Sequence, residues 1–344
     1  MKTLSVFLLS LLFSLSLFGQ TEKSINIRLD HIMQSYSDQT PGYALGIIKN
    51  QELFYSRTEG FASWEPKRQI KEEDVFNLSG ISKQFTAMAI LQLIDRNKIQ
   101  YSTTLNEILP NIPGYAGDIT VDKLLLHNTY LPQYDEGELK NHKDVLSFLE
   151  QYDELRKEGD AYSNVDFPLL ALVIEEVSGK SYAKYLERKI FRKLKMEQSF
   201  VATTENRIKI NNSPALFEFR DSSFLKKNYN PLEEPLGEQG IYSTIADYVK
   251  FEEALYTDKI LDCETLDHVF SDKSKINYFG YGWIVMTRKG VRYFWTGSSN
   301  QGYSTLVLHI PGKKFTMIFM SNISNVGMPL RRAFDIARIF VDDI

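Results

Sequence analysis

The sequence predicts an α/β (α+β) fold in which both ends of the chain complete one antiparallel sheet, N- and C-terminal helices flank that sheet, and a large helical lobe is inserted. Three observations carry this. Short β-branched and aromatic runs, "YALGIIK" and "ELFYS", stand near the N-terminus. Similar runs, from "YGWIVM" to "TMIFMSN", return near the C-terminus. Between them, at about residues 76–232, the pattern turns mainly helical, broken by "LPNIPG", "LPQYDEG" and "KEGD". A site is expected between the lobes.

The elements follow in order. "MKTLSVFLLSLLFSLSLFGQ" has a basic Lys2, an apolar run from Leu4 to Phe18 and a small Gly19, the layout of a secretory signal over residues 1–19. The mature domain is then 20–344, and a periplasmic or secreted location is expected. The apolar run is short for a bilayer span. No cysteine follows it to carry a lipid, so no stable membrane anchor is expected after cleavage. Ile25, Leu29, Ile32, Met33 and Tyr36 recur at helical spacing. The two N-terminal runs, separated by polar Asn50 and Gln51, read as a hairpin. A closing helix carries Leu330, Phe334, Ala337 and Val341 on one face.

Composition excludes several classes. The 344 residues are 43% hydrophobic and 24% charged, ordinary globular material rather than a disordered chain. A net charge of −4 offers nothing to nucleic acid or to an anionic membrane surface. With Cys263 the only cysteine and five scattered histidines, neither a disulfide framework nor a zinc spacing is present, and no metal or cofactor is expected. His268, in "LDCETLDHVF" with Cys263, reads as packing or surface.

The chemistry centres on "FNLSGISKQFTAMAILQL", Phe76 to Leu93. Between Lys83 and Asp95 there is no charge, so this helix is expected to be buried along most of its length, with Lys83 at its entry. Two readings stay open for Lys83. Desolvation disfavours an ammonium and leaves a neutral amine able to act as a base. Alternatively the lysine snorkels to the surface.

These residues resemble the penicillin-recognising serine hydrolases, the superfamily of class C β-lactamases, DD-peptidases and related esterases, in which S-x-x-K places a nucleophile and a base one helical turn apart. "LLLHNTYLP" resembles the family's His-Thr-Ser-Gly-Leu-Pro, "YSNVDFPLLALVIEEVSGKSY" its Y-x-N segment, and "GEQGIYSTIADYVKF" its glycine-rich segment before a helix. The resemblance implies a β-lactamase/transpeptidase-like fold. It also implies that Tyr162 relays protons while Asn164 orients lysine and substrate; a phenol suits that work because its oxygen both donates and accepts. Read without the resemblance, Tyr162, Ser163 and Asn164 form a turn capping the helix that begins near Phe167.

Two motifs depart from the family. Where the family has Lys-Thr-Gly or His-x-Gly, this chain has Trp295, Thr296 and Gly297, similar to an esterase variant and without a cation for a β-lactam carboxylate. Trp295 also reads as a core strand aromatic. Three residues before Lys83 stands Gly80, where the family has its serine. Loss of such a nucleophile costs on the order of a million-fold in turnover, about 8 kcal/mol. Ser79 is one residue away, which is about 100° of rotation and about 1.5 Å of rise on a helix. It reads either as an N-cap accepting from the N–H of Ile81 or Ser82, or as a displaced nucleophile. Ser82, next to Lys83, points to another side of the helix. Backbone N–H groups of Gly80 and a residue near Ser299 remain available as an oxyanion hole.

Two functions are therefore expected as alternatives. One is a weak or inactive family member that holds a small ester, peptide, cell-wall fragment or partner protein in the inter-lobe cleft. The other is an active esterase or peptidase with Ser79 attacking and Lys83 and Tyr162 handling protons.

Overall fold

Asn50 and Gln51 both adopt positive φ, 51° and 71°, the backbone that a tight hairpin turn needs, and they join strands Tyr43–Lys49 and Glu52–Glu59. In the computed structural model, which describes residues 23–344 except 136, 160, 271–277, 326–327 and 343, this hairpin forms one end of a seven-stranded antiparallel sheet. The strands run in the order Phe279–Gly280, Trp283–Arg288, Val291–Asn300, Tyr303–Ile310, Phe315–Ser321, Tyr43–Lys49 and Glu52–Glu59. The two chain ends meet where Tyr43–Lys49 pairs with Phe315–Ser321, Leu45 opposite Phe319. The expected signal, residues 1–19, lies outside the described residues.

One face of the sheet packs on the terminal helices. The helix at residues 23–32 buries Leu29, and the turn after it buries Met33 and Tyr36. Helix Leu330–Phe340 buries Ala333, Phe334, Ile336 and Ala337 in the same cluster. Val341, expected on that helix, instead leaves it with extended backbone. The other face packs on the helical lobe, with Ala44, Ile48, Val307 and Ile318 in one cluster with Phe85, Met88 and Leu170.

Helix Ser82–Asp95 is the axis of that lobe, and every residue from Ser82 to Leu93 is buried. The expected lobe is less purely helical than its pattern suggests. Phe200–Val201 pairs with Ile241–Ser243, and the hairpin Phe217–Arg220/Ser223–Lys226 joins Ile323–Ser324. Short strands of this kind have too few residues to show a period of two. Among the described residues no helix is long and apolar enough to cross a membrane.

Candidate active site

The turn before the long helix is held from several sides. Asn77 Oδ1 accepts from the Ser79 N–H at 2.7 Å, Leu78 N–H donates to the Ile241 carbonyl at 2.8 Å, and Thr305 Oγ1 donates to the Leu78 carbonyl at 3.2 Å. Ser79 adopts φ +48°, a left-handed backbone that costs a non-glycine residue about 1–2 kcal/mol and that these bonds stabilise. The expected cap is not formed. The long helix has Ile81 at its N-cap position and no side-chain cap bond, and Ser79 Oγ is buried without a hydrogen-bond partner among the described residues. The left-handed turn takes the hydroxyl off the line a capping serine needs, and Asn77 supplies the local side-chain bond instead.

Gly80 points the other way. A Cβ built on it would meet Ser298 Cβ at 3.7 Å and the Gly297 carbonyl at 3.9 Å, ordinary contacts that leave room for a side chain. The residue that faces the third-motif strand thus has no side chain, while the adjacent serine is enclosed in protein.

Lys83 does not snorkel to the surface but is buried beside a carboxylate. Its Nζ lies 2.9 Å from Glu238 Oε1, and the side chains are only 10% and 7% exposed. Burial alone would lower the lysine pKa, but the Glu238 carboxylate, with Tyr162 and Asp166 adding to its effect, reverses that and holds Lys83 above the ordinary lysine value. Glu238 Oε2 accepts from the Tyr134 hydroxyl. Glu238 is fixed because its segment is: Thr86 Oγ1 donates to the Gly237 carbonyl at 2.7 Å, and Gly237, at φ +97°, leaves no space for a Cβ beside the Phe167 carbonyl.

Tyr162 lies close enough to Lys83 to act on its charge. Its hydroxyl donates to Asn164 Oδ1 at 2.6 Å, so Asn164 is turned to the tyrosine. The tyrosine ring packs at a tilt against His127, with centroids 4.2 Å apart, and against Phe279 at 4.6 Å. His127 is held from behind by Asp166, Nδ1 to Oδ2 at 2.8 Å, and Asp166 also accepts from Thr129 Oγ1 at 2.7 Å. Burial pushes the Asp166 carboxyl up, against the pull of those bonds. Helix Asp166–Ser178 has no side-chain bond from its N-cap Val165, but Ser163 Oγ of the Tyr162 turn accepts from the Val165 N–H at 3.2 Å.

On the third-motif strand the side chains alternate. Trp295 packs with the terminal-helix cluster, and its partner across the ladder, Leu308, lies in that cluster. By the same alternation Gly297 and Ser299 share that face. Thr296 and Ser298 take the opposite one: Thr296 Oγ1 donates to the Gly282 carbonyl, and Ser298 faces Gly80. The side chain that this strand brings to Gly80 is therefore that of Ser298, one residue from Ser299 and on the opposite face. Trp295 is half-buried at the edge of that cluster. Pairing with Trp283–Arg288 ends at Trp295, so beyond it one backbone edge of the strand has no partner strand among those described.

The beta-lactamase family model matches residues 29–339. The chain belongs to the beta-lactamase family. It is 27% identical over 300 residues to penicillin-binding protein 4* of Bacillus subtilis, covering 79% of this chain and 66% of that one. The chain spans about two thirds of that relative, 61% of a putative penicillin-binding protein PbpX of the same organism and 41% of protein flp of Staphylococcus aureus. In fold it is similar to an octameric penicillin-binding protein homologue from Pyrococcus abyssi, at TM-score 0.79 and 20% identity over 94% of this chain and 77% of that one. A penicillin-binding protein from Bacillus halodurans superposes at TM-score 0.73 and 20% identity, covering 91% and 97%.

Within this beta-lactamase-family fold, sequence reasoning missed Glu238, Tyr134 and Ser298. The Lys83–Glu238 contact spans 155 residues, beyond any periodicity. The one available signal was an acid standing inside the glycine-rich stretch "PLGEQG". The site brings together the buried Lys83–Glu238 ion pair, the Tyr162–Asn164 hydrogen bond and Ser298.

Proposed function

We propose that this protein is a secreted or periplasmic, non-acylating member of the family, a pseudoenzyme whose inter-lobe cleft holds a small ester, peptide or cell-wall fragment without covalent attack. The observation that carries this is the combination at the helix start. Residue 80 faces Ser298 with no hydroxyl, and Lys83, one turn on, is an ammonium paired to Glu238. Nucleophilic catalysis needs both an attacking atom and a group to take its proton. The alternative that uses Ser79 is opposed by the burial of its Oγ and by its lack of any hydrogen bond to Lys83 or Tyr162. The names of two relatives, penicillin-binding proteins, support a ligand of the penicillin class.

Intact-mass spectrometry after incubation with benzylpenicillin or a fluorophosphonate is expected to show no stoichiometric adduct. Calorimetric titration with a cell-wall peptide is expected to show reversible binding. A stoichiometric adduct lost in Ser79→Ala would replace this reading with a displaced nucleophile.

A further inference from the structure

We propose that Glu238 is a second determinant of the silent site: by holding the Lys83 side chain in an ion pair it keeps any hydroxyl restored at residue 80 unreactive until the carboxylate is removed. This rests on the reading of residue 80 as the nucleophile position. When a serine attacks a fluorophosphonate, Oγ bonds to phosphorus, the P–F bond breaks, fluoride leaves, and the hydroxyl proton passes to a base. The lysine three residues on from position 80 has no lone pair while it is an ammonium. Glu238 is held at both oxygens, Oε1 accepting from Lys83 and Oε2 from Tyr134. The backbone that carries Glu238 is fixed as well, since Gly237 is tied to Thr86 and packed against the Phe167 carbonyl. Glu238 thus acts through Lys83, as a positioning residue. Burial favours the neutral amine, so removing the carboxylate shifts Lys83 toward it, with Tyr162 and Asp166 the groups still acting the other way.

The test compares wild type, Gly80→Ser, Glu238→Gln and the double variant, each incubated with a fluorophosphonate probe and followed by intact mass across pH. The double variant is expected to label at least tenfold faster than Gly80→Ser, with its rate profile displaced to lower pH. Equal rates and equal profiles would overturn the role of Glu238. So would a double variant that melts cooperatively yet does not label. If the Gln variant does not fold, Gly80→Ser with Glu238→Ala carries the same comparison. Labelling of wild type, or of Glu238→Gln alone, would instead overturn the non-acylating reading on which this one rests.

Discussion

At residue 80 the chain has no side chain, and a Cβ there would make only ordinary contacts with Ser298 and Gly297. Lys83 and Glu238 are two charges taken out of water and satisfied by each other. Removing one partner leaves an uncompensated buried charge, which costs about 3–5 kcal/mol, whereas replacing both with apolar groups of similar volume is often neutral. Glu238→Ala is therefore expected to lower stability by about 3 kcal/mol. Lys83→Met with Glu238→Leu should recover most of that loss, as measured by urea denaturation. The pair's contribution should persist up to about pH 10, the ordinary lysine range. Because the folded lysine pKa is raised, the contribution is lost only as pH climbs through that raised value.

Among the elements, the docking of the long helix on the sheet decides where Lys83 stands. Gly282 adopts φ +83°, and a Cβ there would lie 2.6 Å from the Gln84 nitrogen and 2.7 Å from the Lys83 carbonyl carbon. Gly282→Ala forces both a left-handed strain of about 1–2 kcal/mol and an overpacking cost of about 1–3 kcal/mol. Gly80→Ala meets nothing closer than 3.7 Å and has ordinary backbone angles, so its effect should stay under about 1 kcal/mol. Denaturation midpoints of the two variants, measured side by side, check this contrast. Similar losses in both would mean that Gly80 is needed for its backbone rather than spared by missing chemistry.

Across the whole molecule, Glu234 ties the lobes together. It accepts from Asn77 Nδ2 at 3.0 Å, from Tyr303 on the central sheet at 2.8 Å and from the Tyr229 hydroxyl. Burial pushes its carboxyl above the ordinary value, more than these donors pull it down. A folded state that holds the proton more tightly than the unfolded one loses stability as pH rises from the unfolded pKa, about 4.3, toward the folded one. Glu234→Gln keeps an acceptor oxygen and removes the titration. Its melting temperature is expected to fall less than that of wild type between pH 4 and pH 7, a window of about three units above the unfolded value. Parallel melting curves for the two proteins would show that Glu234 is not protonated on folding.

What could be read from the chain was whatever depends on near neighbours. The hairpin at Asn50 and Gln51, the uncharged helix after Lys83, the terminal helices and the displacement of serine from residue 80 are all local patterns, and periodicity or spacing records them. Whether Lys83 is a base or a cation was not of that kind. It turns on Glu238, 155 residues away, on Tyr134 behind it, and on a glycine segment packed against another helix. The face taken by Ser298 rather than Ser299 depends likewise on strand register across the sheet, which a single residue reverses. Desolvation and charge pairing act through space, so only the folded chain decides the protonation that its own motif leaves open.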